Sequence, residues 1–184
     1  MAKEVFAEKK DIQILNLLSY FKDPDLEDLL VLEIESTDWS LRLNSIHMLA
    51  KMKSEKAKPK LIELLPNPNF SLEVISALRL YTDHEVGVAF LRRLGRSNVQ
   101  EQAEILKGIE GIATDDKRYV EPLLVFALHE VSSADSKKHA LRIVEKICKN
   151  IKLELPEKVK EVQEKIKLIE MRGVPDLGLK LAED

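Results

Sequence analysis

The chain has 184 residues, enough for one domain with a core of its own. Apolar residues make up 45% and charged residues 33%, a balance that excludes both an intrinsically disordered and a membrane-spanning protein. With 29 basic and 32 acidic residues the formal charge is −3, so no global field draws the chain to nucleic acid or to an anionic membrane.

Taken in chain order, the apolar residues recur at helical spacing almost throughout. Ile12, Leu15, Leu18 and Phe21 mark one face of a first helix. Asp23 is placed to cap the next, with Pro24 at its first position, where a missing N–H costs nothing. Leu26, Leu29, Leu30, Leu32 and Ile34 then form an apolar face, broken by Ser36-Thr37-Asp38. A helix starting at Trp39 carries Leu41, Leu43, Ser45, Ile46, Leu49 and Met52. After Lys53-Ser54-Glu55, the residues Pro59, Leu61, Ile62, Leu64 and Leu65 make another, closed by the loop Pro66-Asn67-Pro68-Asn69. Ser71 is expected to cap a helix with Leu72, Val74, Ile75, Leu78 and Leu80. Asp83 caps one with Val86, Val88, Phe90, Leu91 and Leu94, and Ser97-Asn98 opens one with Val99, Ala103, Ile105, Leu106, Ile109 and Ile112. Val120, Leu123, Leu124, Phe126, Ala127, Leu128 and Val131 follow. Past the turn Ser132-Ser133-Ala134-Asp135 come Leu141, Val144, Ile147, Cys148 and Ile151. A last helix from Pro156 has the narrow stripe Val159, Val162, Ile166 and Ile169 and ends near Gly173. The spacing predicts about ten helices of roughly 10 to 17 residues with loops of about 2 to 6, which makes sequence neighbours antiparallel. The scarcity of Gly (6), Pro (7) and aromatic residues (5%) argues against a sandwich or barrel.

The second helix of each pair repeats. Segments beginning at Leu41, Leu72, Val99 and Ser136 each place a small residue four positions on, namely Ser45, Ser76, Ala103 and Ala140. A helical hairpin recurring at about 30 residues is the mark of an α-solenoid, and small residues let helices of successive hairpins approach closely. Asp38, Leu41, Arg42 and Ser45 occupy the positions that give this unit its resemblance to the HEAT-repeat family, in the short form found in small bacterial and archaeal proteins. In that family the Asp and Arg tie successive turns into a ladder. Here the later segments carry Glu73, Gln100 and Lys137 at the Arg position. The resemblance covers roughly residues 10 to 155 and implies an all-α, right-handed α–α superhelix; residues 1–173 are read as a single domain, with a flexible C-terminal tail at 174–184.

Candidate chemistry is sparse. HEAT-like deoxyhypusine hydroxylases hold di-iron with His-Glu pairs on the inner helices of four repeats. This chain has His84-Glu85 and His129-Glu130, at opposite ends of outer helices, so no metal is expected. HEAT-like DNA-alkylation glycosylases use a Trp and an Asp near a groove, but Trp39 and Asp38 fit a turn-packing Trp beside a capping Asp. Cys148 lies in an apolar stripe with no base beside it, which predicts a buried, inert thiol. A lone cysteine forms no internal disulfide, as suits a reducing compartment. Residues 1–11 lack an apolar core of signal-peptide length and no window approaches a transmembrane helix, so a cytoplasmic location without a membrane partner is expected.

No phosphate loop, nucleophile elbow or Cys-x-x-Cys supports catalysis, so neither an enzyme nor a cofactor is expected. The expected role is a protein–protein interaction scaffold. Its partner would meet the concave face made by the inner helices at 39–52, 71–81, 98–112 and 136–150. Arg42, Arg79, Lys107, Lys138 and Arg142 are the candidate contacts, with the outer-helix Arg92 and Arg93 as comparators. Lys137, Lys138, Arg142, Lys146 and Lys149 crowd one helix, either as a solvated face or as a dock for an acidic partner. Glu101, Glu104 and Glu110 on the preceding inner helix mix the charge, which favours a protein over the alternative, a nucleic-acid-binding or base-processing protein of HEAT-like fold.

Overall fold

Four capping side chains open helices where the sequence places them. Asp38 Oδ1 accepts from Leu41 N (3.0 Å), Asp83 Oδ1 from Val86 N (3.2 Å) and Ser133 Oγ from Ser136 N (3.0 Å). Asn98 forms a full capping box: its side chain accepts from Glu101 N while Glu101 Oε2 accepts from Asn98 N. The computed structural model describes residues 13, 14, 20, 25–129 and 132–171. The expected first-helix face (Ile12, Leu15, Leu18, Phe21), the Asp23-Pro24 start, Glu130, Val131, Gly173 and residues 174–184 lie outside the described residues.

Among the described residues there are nine α-helices, one 3-10 turn and no strand. They are α1 (Leu26–Glu33), α2 (Trp39–Met52), α3 (Lys58–Leu64), α4 (Ser71–Leu78), α5 (His84–Leu94), α6 (Val99–Ile112), α7 (Val120–Leu128), α8 (Ala134–Ile151) and α9 (Lys158–Met171), with the 3-10 turn at Lys117–Tyr119. Several are shorter than expected: α3 has 7 residues, and α1 and α4 have 8 each. Helices this short hold through packing rather than through their own hydrogen bonds. Ser71 is the first residue of α4 rather than its cap; Phe70 stands at the cap position and offers no side-chain acceptor. The last helix starts at Lys158, two residues past Pro156.

The chain divides into two compact units, Met1–Tyr81 and Thr82–Asp184. In the first, α1 pairs with α2, α3 with α4, and α2 packs on α4. Leu30, Ile34, Ile46, Leu49, Leu61, Val74, Ile75 and Leu78 are buried between them. Lys53 closes α2 in the left-handed region (φ 52°), its N–H returning to the last carbonyls of the helix. Tyr81 Oη donates to Ser54 O (3.0 Å), tying the end of the unit to that turn.

In the second unit, α5 pairs with α6 and α7 with α8; α6 packs on α8, and α5 on α7. Helix α9 packs on both α7 and α8. Lys158 bonds Glu121, and Lys165 Nζ donates to Leu128 O; both pairs are 37 residues apart, so α9 runs parallel to α7 in constant register. Gly87 makes room for the buried Tyr119: a Cβ there would lie 1.9 Å from the phenol oxygen, which hydrogen-bonds His84 Nδ1 at 3.1 Å.

Counting from the observed caps corrects the repeat. The small residue seven positions after the cap is Ser45, Ala77 or Ala140, each buried; Ser76 is exposed, and Ile105 rather than Ala103 takes the place in α6. Four positions after the cap stand Arg42, Gln102 and Lys137, and all three donate to backbone carbonyls that precede their helix. Arg42 Nη1 reaches Ser36 O (2.9 Å), Gln102 Nε2 reaches Ser97 O (3.0 Å), and Lys137 Nζ reaches Ala127 O (3.0 Å) and His129 O. The donor in α6 is therefore Gln102, since Gln100 is exposed. Lys137 is buried (2% exposed) and does not belong to the solvated basic face.

Candidate docking surface

The expected contact residues divide between the two units. In the first, Arg42 is half-buried, bonds Ser36 O and lies 4.8 Å over the Phe70 ring, so its charge is already engaged in holding the hairpin. Arg79 caps the C-terminus of α4 and is exposed. Between α2 and α4 lies a cleft of about 170 Å³ lined by His47, Ala50, Lys51, Ser76, Ala77 and Leu80. Trp39 follows its capping Asp38 but stays 54% exposed, where packing into the turn was expected.

In the second unit, Lys107 on α6 is paired with Glu104 one turn away (2.6 Å). Glu110, near the end of α6, meets three side chains of α8: His139 Nε2 at 3.0 Å, Arg142 Nη2 at 3.4 Å and Lys146 Nζ at 3.8 Å. The hydrogen bond with His139, reinforced by Arg142 and Lys146, holds the Glu110 carboxyl below its ordinary value against the opposing effect of burial. Lys138 pairs with Glu170 of α9, a bond that raises the lysine pKa. Arg142 and Lys138 thus share α8, while Lys107 is engaged along its own helix. Sequence reasoning missed His139, whose exposed-looking position on α8 gave no sign that Glu110 lay opposite. It also missed Gln163 and Lys167, which with Glu145 and Glu170 line a groove between α8 and α9.

Arg93, named as an outer-helix comparator, bonds the buried Glu101 carboxylate (3.1 Å) and is itself largely enclosed; Arg92 is exposed. Cys148 is buried, as expected, and burial pushes its thiol pKa up. His84 bonds Tyr119 within α5's own surroundings, and His129 lends its carbonyl to Lys137. Among the described residues no helix is long and apolar enough to cross a membrane.

Residues 7–79 match the family model of HEAT repeats. No curated protein and no solved structure matches the chain. The matched stretch contains the capping Asp38 and the Arg42 that bonds the preceding turn, so over residues 7–79 the chain is similar to HEAT repeats.

Proposed function

We propose that the chain is a non-enzymatic, cytoplasmic scaffold that docks another protein on the inner-helix face of its repeats. HEAT repeats typically bind proteins, and stacked hairpins offer one ligand side chains from several repeats at once. The observation that carries the reading is the charge mosaic of α6 and α8, where Glu110 sits among His139, Arg142 and Lys146, and Glu104 beside Lys107. A nucleic-acid backbone meeting this face would meet carboxylates interleaved with every cation; a protein surface can answer both signs. Arg42 serves its own fold, and within the first unit Arg79 and Lys51 are exposed.

The test uses the full-length chain and the protein recovered with it, mapped by cross-linking. Arg142→Gln with Lys146→Gln, which set no new like charge beside Glu110, should weaken association about tenfold and reduce its salt dependence. Binding unchanged by that pair but lost with Arg92→Glu would move the site to the outer helices and refute the reading. Arg93 is unsuited to this comparison, because reversing it would leave Glu101 buried beside a like charge.

A further inference from the structure

The groove between α8 and α9 has a volume of about 340 Å³ and is lined on α8 by Lys138, Leu141, Arg142 and Glu145. Its floor is apolar, formed by Leu141 and Ile166, which are 6% and 7% exposed. Its geometry repeats an earlier one. Helix α8 packs on both α6 and α7, so it occupies the place beside that pair. Helix α9 follows α7 in constant register, so the α8–α9 groove is the next of the same series. Among the described residues no helix fills it.

Its charges describe the occupant. Lys138 on the rim is bonded to Glu170, and Arg142 to Glu110. The side chains of Glu145 on α8 and Lys167 on α9 are exposed, with no ion pair or hydrogen bond to another described residue. Glu145 stands at the same place after its cap as Glu110 does in α6, twelve positions on. Beside α6, α8 answers Glu110 with basic side chains. We propose that the α8–α9 groove docks an amphipathic helix of another protein, with a basic edge against Glu145 on α8, an acidic edge against Lys167 on α9 and an apolar ridge on Leu141 and Ile166. This site shares Lys138 and Arg142 with the inner-helix face, and Glu145 and Lys167, which that face does not use, tell the two apart.

The test measures fluorescence anisotropy of three synthetic helical peptides of about 18 residues with the full chain. All share a leucine ridge; one carries Lys on one edge and Glu on the other, one Glu on both, one Lys on both. The mixed peptide should bind about tenfold tighter than either uniform one. Glu145→Lys should shift the preference to the all-Glu peptide, and Lys167→Glu to the all-Lys peptide. Both positions are exposed, and circular dichroism confirms that the variants fold. Equal binding of all three peptides, or preferences that ignore the two variants, overturns the proposal. So does tighter binding of an oligothymidylate. Concentration-dependent dimerisation abolished by Glu145→Lys would assign the groove to a second copy, and a tenfold gain in peptide affinity on removing residues 172–184 would assign it to the chain itself; either result overturns an external partner.

Discussion

Lys137 gives the sharpest test of how these hairpins are held. Its ammonium is buried and donates to two carbonyls at the end of α7, Ala127 O and His129 O. In Lys137→Met the stem keeps its packing, but both acceptors lose their donor. Hydrogen bonds to a charged group are worth about 1.5–3 kcal/mol each, and a cation at a helix C-terminus adds about 0.3–1 kcal/mol. Removing the ammonium also recovers its burial cost of several kcal/mol, which offsets more than half of that loss. The expected net destabilisation is about 2 kcal/mol, or roughly 4–8 °C in Tm for a chain of this size. Urea and thermal unfolding followed by circular dichroism measure it. The neighbouring Lys138→Met, on a half-exposed side chain, should leave both midpoints in place. A Lys137→Met protein as stable as the parent would show that burying the ammonium costs as much as its bonds return, and would refute the capping role.

Gly87→Ala should cost about 2 kcal/mol despite the better helix propensity of Ala, because its Cβ would fall 1.9 Å from the Tyr119 oxygen. Tyr119→Phe in that background should recover part of the loss, and an unfolding midpoint that stays put in both would refute the overlap. The Cys148 thiol, enclosed and with its pKa raised by burial, should resist Ellman's reagent in the folded chain and react only on unfolding; prompt native labelling would contradict its burial. Because the folded-state pKa of Glu110 is depressed, its contribution to stability is present above the ordinary value of 4.5 and is lost as pH falls through the lower folded value. Glu110→Gln should flatten that acid limb of the urea midpoint, whereas an unchanged limb would remove the His139 contact from the account.

The helices were legible because their starts are local. Asp38, Asp83, Asn98 and Ser133 each bond a backbone N–H three residues on, so the information sits within one turn. The register of α4 was not, because Phe70 occupies a cap position with no capping side chain and packing alone fixes where the helix begins. Lys137 was misread for a related reason: periodicity assigns every lysine to solvent, and only the fold reveals carbonyls waiting at the end of α7. The α8–α9 groove joins Leu141 and Glu145 to Gln163 and Lys167 through a packing angle that no sequence window contains.

The donor four positions past the cap has a further meaning for recognising such chains. Guanidinium, carboxamide and ammonium each tie the first turn of a helix to a carbonyl before it, at Arg42, Gln102 and Lys137. Three letters for one role dilute each other in a sequence comparison. The match to HEAT repeats ends at residue 79, yet hairpins with a donor at this position run on to Ile151. Repeat boundaries in proteins of this kind are therefore better counted by which carbonyl each helix answers than by which residue answers it.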